Sequence, residues 1–240
     1  MKRAFVIVLF CGALGAQEHT TPGIAGQINE ARAMKWLFGN YDPQTHTSEL
    51  GDSYASPYAS QHVTVNGRQQ WYFYTWSNQK TNTCHGCPVQ LGAALFEKEG
   101  NWWIEKVSDE NVTAMGNSGN PPVSHTVKWG PDKYGLVLED GYMGFGVLTE
   151  HQYLIGLVDG SFRVIFSINL SSNNGGAIDP DPERNFDAKW TFGSPGPQGA
   201  FDVVVSVEKG KHATETPLPG IYRFDGEVYR DSKTGKVLKE

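Results

Sequence analysis

Apolar positions along this chain follow two periods, and the change between them falls near residue 60. From Gly23 to Phe38 the text is GIAGQINEARAMKWLF, where Ile24, Ile28, Ala31, Met34 and Trp36 to Phe38 approximate one helical stripe. Gly39 and Asn40 end it, since both tolerate the left-handed conformation that closes a helix. A shorter helical turn is expected at SDENVTAMG, where Ser108 serves as cap and Asp109 and Glu110 suit a helix N-terminus.

Beyond residue 60 the period becomes that of β-strands. Gln61 to Val65 and Arg68 to Trp76 flank Asn66-Gly67, a pair that takes the two positive φ angles of a type I′ hairpin turn. The run QWYFYTW suits a strand covered on both faces. Further hairpins turn at Glu99 to Asn101, Gly130 to Lys133 and Asp159-Gly160; SPGPQG separates FDAKWTF from AFDVVVSVEKG, and YRFDGEVYR closes around Asp225-Gly226.

Sequential hairpins build antiparallel sheet, and no helical crossover lies between the strands to support a parallel one. The expected fold is therefore mainly β, an antiparallel meander of sandwich- or barrel-like form with one N-terminal helix. Asp42 to Ser60, Gly116 to Ser124 and Ser171 to Glu183 are rich in Gly, Pro, Ser, Asn or Asp and read as surface loops. No shift of composition divides the chain, so residues 17–240 read as one domain.

The first residues change where that domain is expected to work. Lys2 and Arg3 precede an apolar run, Ala4 to Ala16, in the layout of a secretory signal peptide over residues 1–16. The run is shorter than the roughly 20 residues a spanning helix needs. A periplasmic or secreted protein without a membrane span after cleavage is the expectation. Removing Lys2 and Arg3 lowers the basic count from 20 to 18 against 26 acids, which moves the net charge from −6 to −8. An acidic surface without a Lys/Arg cluster argues against a nucleic-acid partner.

Export also simplifies the cysteines. Cys11 leaves with the leader, and the even pair Cys84 and Cys87 in NTCHGCP is expected to be disulfide-bonded. Two other readings stay open. A redox pair usually lies at a helix N-terminus, whereas VQLGAALF, which follows here, is strand-like. Zinc needs about four ligands, so His85 and one of His62, His125 or His151 would have to join the cysteines. Covalent haem attachment fails, because Pro88 stands where the histidine is required.

Among other candidates, Asp179, Asp181, Glu183 and Asp187 place oxygen ligands in one loop, as calcium sites do. Pro180 and Pro182 intervene, and Arg184 takes the place of the glycine that helix-loop-helix calcium sites need, so a solvated loop is the competing reading. Trp71 and Trp76 share an aromatic strand, while the adjacent Trp102 and Trp103 must point to opposite faces, one to the core and one to a candidate binding platform; the competing reading is that the N-terminal helix or a loop covers that second face. His85, at the tip of the cysteine loop, joins these as a candidate contact. GYMGFGVL, residues 141 to 148, is followed by no helix and so is no dinucleotide fingerprint; its glycines are read as letting a strand bend or pack closely. Glu139, Asp140 and Glu150 offer a carboxylate pair only if folding sets their separation. No nucleophile elbow, zinc-protease motif or phosphate loop is present.

CHGCPVQLGAALFEKEGNWWIEKV, KWGPDKYGLVLEDGYMGFG and LIGLVDGSFRVIFSI resemble a group of exported bacterial proteins that share a cysteine-paired motif before a Leu-Gly-Ala-type strand. The resemblance covers roughly residues 84 to 170. It implies extracytoplasmic location and a mostly β fold, and brings no catalytic residue with it. The function these observations point to is a non-enzymatic binding or accessory protein of the cell envelope, engaging a protein or glycan through loops and aromatics. The alternative is a hydrolase or metal-dependent enzyme whose site is assembled only in three dimensions.

Overall fold

The computed structural model of the 240-residue chain describes residues 23–81, 84, 86–178, 181, 184–210 and 216–238. The leader read over residues 1–16 lies outside them. Among the described residues, two antiparallel sheets and one helix make up the fold, which is the mainly β architecture expected.

In the first sheet, β1 (Ile24–Ala25), β2 (Ser48–Leu50), β3 (Ser53–Val65), β4 (Arg68–Gln79), β5 (Val89–Glu99) and β6 (Trp102–Met115) lie in the order β1-β6-β5-β4-β3-β2. The second sheet runs without a crossover through β7 (Val123–Gly130), β8 (Lys133–Gly144), β9 (Val147–Val158), β10 (Ser161–Asn173), β11 (Phe186–Pro195), β12 (Phe201–Lys209), β13 (Gly220–Phe224) and β14 (Tyr229–Asp231). The helix, α1 (Glu30–Phe38), packs on the outer face of the first sheet.

Three expectations need correction. The helix starts at Glu30 and not at Gly23, because the Asn29 side chain caps it by accepting from the Arg32 N–H at 3.0 Å. Ile24 and Ala25 instead form an edge strand opposite Trp103 and Trp102. The turn expected at Ser108 is extended and lies inside β6. Asp42 to Ser60 is largely strand, and Pro57 is accommodated at a register shift between Pro57 and Ala59. The helix does stop at Gly39, in the left-handed conformation with φ 78°.

Alternation along β4 builds two cores at once. Trp71 and Phe73 point to one face, where Met34 and Ala33 of α1 complete a cluster with Phe96 and Trp103. Tyr72 and Tyr74 point to the other and meet Leu136, Leu138, Ile155 and Phe162 of the second sheet. Asp109 of β6 ties the sheets together, its Oδ2 accepting from the Phe162 N–H at 2.6 Å.

A third core forms where the second sheet curls over its own outer face. The cross-strand pair Gly135 and Gly156 leaves a slot for the Trp129 indole, and a Cβ on Gly156 would come within 2.9 Å of that ring. Trp129 donates from Nε1 to the Tyr134 carbonyl at 3.0 Å and meets Phe224 edge-on. Gly135 and Gly156 are thus needed for close packing.

Candidate functional site

Among the described residues, three strand hairpins, besides the bridge-closed turn at Ser118-Gly119, use two-residue turns in which both residues have positive φ. Asn66-Gly67 has φ of 49° and 77°, Asp159-Gly160 has 50° and 77°, and Phe145-Gly146 has 52° and 80°. Asn and Asp suit the first of these positions because their short polar side chains tolerate left-handed backbone. Phenylalanine does not, and Phe145 gains no packing in compensation, since it is 98% exposed.

The residues around Phe145 extend that surface. Tyr142 is 50% exposed and Met143 64% exposed, and Met143 pairs across the hairpin with the exposed Leu148. Tyr142 lies across Gly144, where an added Cβ would fall 2.5 Å from the ring. The absence of a side chain at Gly144 lets the tyrosine lie along its own strand. Because β8 alternates, Tyr142 and Met143 present apolar surface on opposite faces, with Phe145 at the tip.

Backbone contacts fix this tip in place. Gly146 abuts the loop after β10, where a Cβ would come within 2.0 Å of the Gly176 carbonyl oxygen. That loop is organised by its own asparagines: the Asn174 N–H donates to Asn185 Oδ1 at 2.8 Å, Asn174 Nδ2 to the Asp181 carbonyl at 2.7 Å, and the Gly175 N–H to Asn173 Oδ1 at 3.0 Å. Two residues past the Gly146 contact it presents Ile178, also fully exposed. On the opposite side β7 reaches only to Val123, opposite Glu139, so the end of β8 has a strand partner on one side alone. The Gly116 N–H donates to Asp140 Oδ2 and Asn117 Nδ2 to the Gly141 carbonyl, both at 3.1 Å, which pins the base of that free edge.

Along β8 and β9 the charged residues nearest the tip are Asp140 and Glu150, while Arg184 stands in the loop that Gly146 abuts. The result is an exposed apolar finger with charges of both signs about its base.

Several residues expected to bind lie elsewhere. Trp71 and Trp103 are core residues of the helix-covered cluster, because the face on which they stand is covered by α1. Trp76 is half-buried edge-on to Tyr54. Trp102 is 39% exposed against 6% for Trp103, so the adjacent tryptophans divide between surface and core as their alternation requires.

The sulfurs of Cys84 and Cys87 stand at disulfide distance with their Cα atoms 5.3 Å apart, and the Cys87 carbonyl accepts from the Gly119 N–H at 3.1 Å. His85 lies outside the described residues. His62 stacks on Trp71 in the first sheet, and burial lowers its pKa.

Of the calcium candidates, Asp179 and Glu183 also lie outside the described residues. Asp181 uses its backbone carbonyl to hold Asn174 and Arg184. Asp187 belongs to β11 and faces Lys209 at 3.4 Å. Among the described residues, no three His, Cys, Asp or Glu side chains are grouped to hold a metal. Burial pushes the Tyr72 phenol up to about 12 and that of Tyr74 further upward, so both stay protonated inside the core.

The close packing expected of the glycines in GYMGFGVL is found at Gly144 and Gly146. Hydropathy does not single out the tip itself, where Phe-Gly stands in the place of the Asn-Gly and Asp-Gly of the sister turns. An aromatic at the first position of a two-residue turn was the available signal.

No protein-family model matches the chain, and no curated protein or solved structure is significantly similar to it. The resemblance drawn over residues 84 to 170 rests on those residues alone, and a functional reading has to come from the geometry.

Proposed function

We propose that this is an exported, non-enzymatic binding protein that engages another protein of the cell envelope through the β8–β9 hairpin. The observation that carries the reading is Phe145, held in left-handed backbone and fully presented to solvent. A side chain that opposes its own turn and packs against nothing is best explained by what it inserts into. Side chains such as Phe145, Met143 and Ile178 offer no strong hydrogen-bond group, so they suit an apolar pocket in a protein better than the hydroxyl-rich face of a glycan. Export is supported by the N-terminal sequence and by a cysteine pair suited to an oxidising compartment.

The test compares the wild-type protein with Phe145→Asn and Met143→Ser in pull-downs from envelope extract, each variant first matched to wild type by circular dichroism. A specific protein retained by wild type and lost from both variants is expected. Equal retention by all three, or retention of glycan alone, overturns the reading.

A further inference from the structure

Beneath the C-terminal end of α1 lies a cavity of about 360 Å³, distant in the chain from the hairpin tip. Its volume is within the roughly 300–1,000 Å³ typical of small-ligand sites. Two irregularities in β6 shape it. Between the pairs Leu91–Thr113 and Ala93–Asp109, β6 carries two more residues than β5, and between Leu95–Val107 and Phe96–Glu105 it carries one more. Such bulges commonly re-aim side chains beside functional sites, and here they flank the segment that supplies Glu105, Asp109 and Glu110 to the cavity.

Two of these carboxylates are held by other groups. Trp36 Nε1 donates to Glu105 Oε2 at 2.7 Å, and Ser108 Oγ donates to the other oxygen of Glu105. Asp109 is oriented by the Phe162 N–H. Glu110 is exposed. Opposite the acids, Trp36, Leu37 and Phe38 supply an apolar wall. Since the Trp36 N–H is engaged by Glu105, carbon is what this residue adds to the cavity. Among the described residues, the lining includes no basic side chain.

We propose that this cavity binds a small organic cation, an alkylammonium or quaternary ammonium compound. Its charge would be met by the carboxylates and its alkyl groups by the aromatic wall, the combination that recognises such cations. A bare metal ion would leave that wall unused, and a neutral sugar would leave Glu105 and Glu110 without a counter-charge. The acidic field of the whole chain adds attraction at longer range.

The test is titration of the protein with n-butylammonium and with tetramethylammonium, followed by calorimetry and tryptophan emission, with 1-butanol as the neutral control. Saturable binding of at least one cation is expected, weakening about threefold or more between about 50 and 500 mM salt. Glu110→Gln, an exposed change, is expected to weaken it about three- to fivefold. Phe145→Asn should bind the cation as wild type does, which separates this result from the fate of the hairpin reading. Failure of both cations to saturate, an equal response to 1-butanol, or undiminished affinity in Glu110→Gln overturns the proposal.

Discussion

Phe145 and its counterparts Asn66 and Asp159 occupy the same backbone position with different side chains, so they serve as an internal comparison. All three have φ near 50°, where a Cβ crowds the following carbonyl at a cost of about 1–2 kcal/mol that Asn and Asp partly offset by local hydrogen bonding. Replacing Phe145 with Asn therefore removes strain and exposed apolar surface together. We expect Phe145→Asn to raise the melting temperature by about 1–3 °C, as one kcal/mol or less does in a chain of this size. Scanning calorimetry checks it, and a lowered melting temperature would mean that Phe145 packs against the fold after all. A variant more stable than wild type but unable to retain the partner would show stability given up for function. In the sequence this position was readable only by asking which residue a two-residue turn prefers, because hydropathy alone makes Phe145 one more apolar residue in a strand.

Within β6 the local text and the observed structure disagree, and the disagreement has a physical origin. Ser108 followed by Asp109 and Glu110 has the chemistry of a helix start, yet the cross-strand ladder to β5 extends on both sides of it and draws the segment into the sheet. The surplus length of β6 is taken up in bulges, which no count of apolar and polar positions reveals. Their fit depends on Gly92 of β5, where a Cβ would lie 2.6 Å from Thr75 Oγ1 and 3.3 Å from the Glu110 carbonyl oxygen. Gly92→Ala should destabilise the protein by about 1–3 kcal/mol, as overpacking of a filled site does. Adding Thr75→Ala removes the nearer obstacle, so the double variant should recover part of that loss and show non-additivity in urea melts. Strict additivity would mean that the backbone, and not Thr75, sets the limit. The start of helix α1 shows the same competition: Ile24 and Ile28 continue its apolar stripe, but Ile24 gains more by pairing with Trp103 at the sheet edge.

The meander was legible because each hairpin repeats a local signal, an apolar run on either side of a turn pair. Division of the strands into two sheets was not, since nothing local in Gly116 to Pro122 states that pairing stops at β6 and resumes at β7. That crossing is held by contacts distant in the chain. Asn117 and Asn120 close a tight turn, the Gly119 N–H donates to the Cys87 carbonyl, and Asn78 Nδ2 donates to the Gly119 carbonyl at 3.1 Å. Gly116 and Asn117 then reach Asp140 and Gly141 in the β8–β9 hairpin. The cysteine loop of the first sheet is thereby connected, through this crossing, to the free edge of the second. Closing so short a loop constrains few unfolded conformations and contributes about 2 kcal/mol at most in the chain-entropy model. The paired change Cys84→Ser and Cys87→Ser should accordingly lower the melting temperature by no more than about 8 °C. Its larger effect should be local: hydrogen exchange should quicken at residues 116–120 and 140–144, while β5 and β10 keep wild-type protection. Uniform loss of protection across both sheets would show instead that the cysteine pair supports the whole fold, and an unchanged exchange rate at residues 140–144 would show that the bracing of the hairpin comes from Gly116 and Asn117 without help from the cysteine loop.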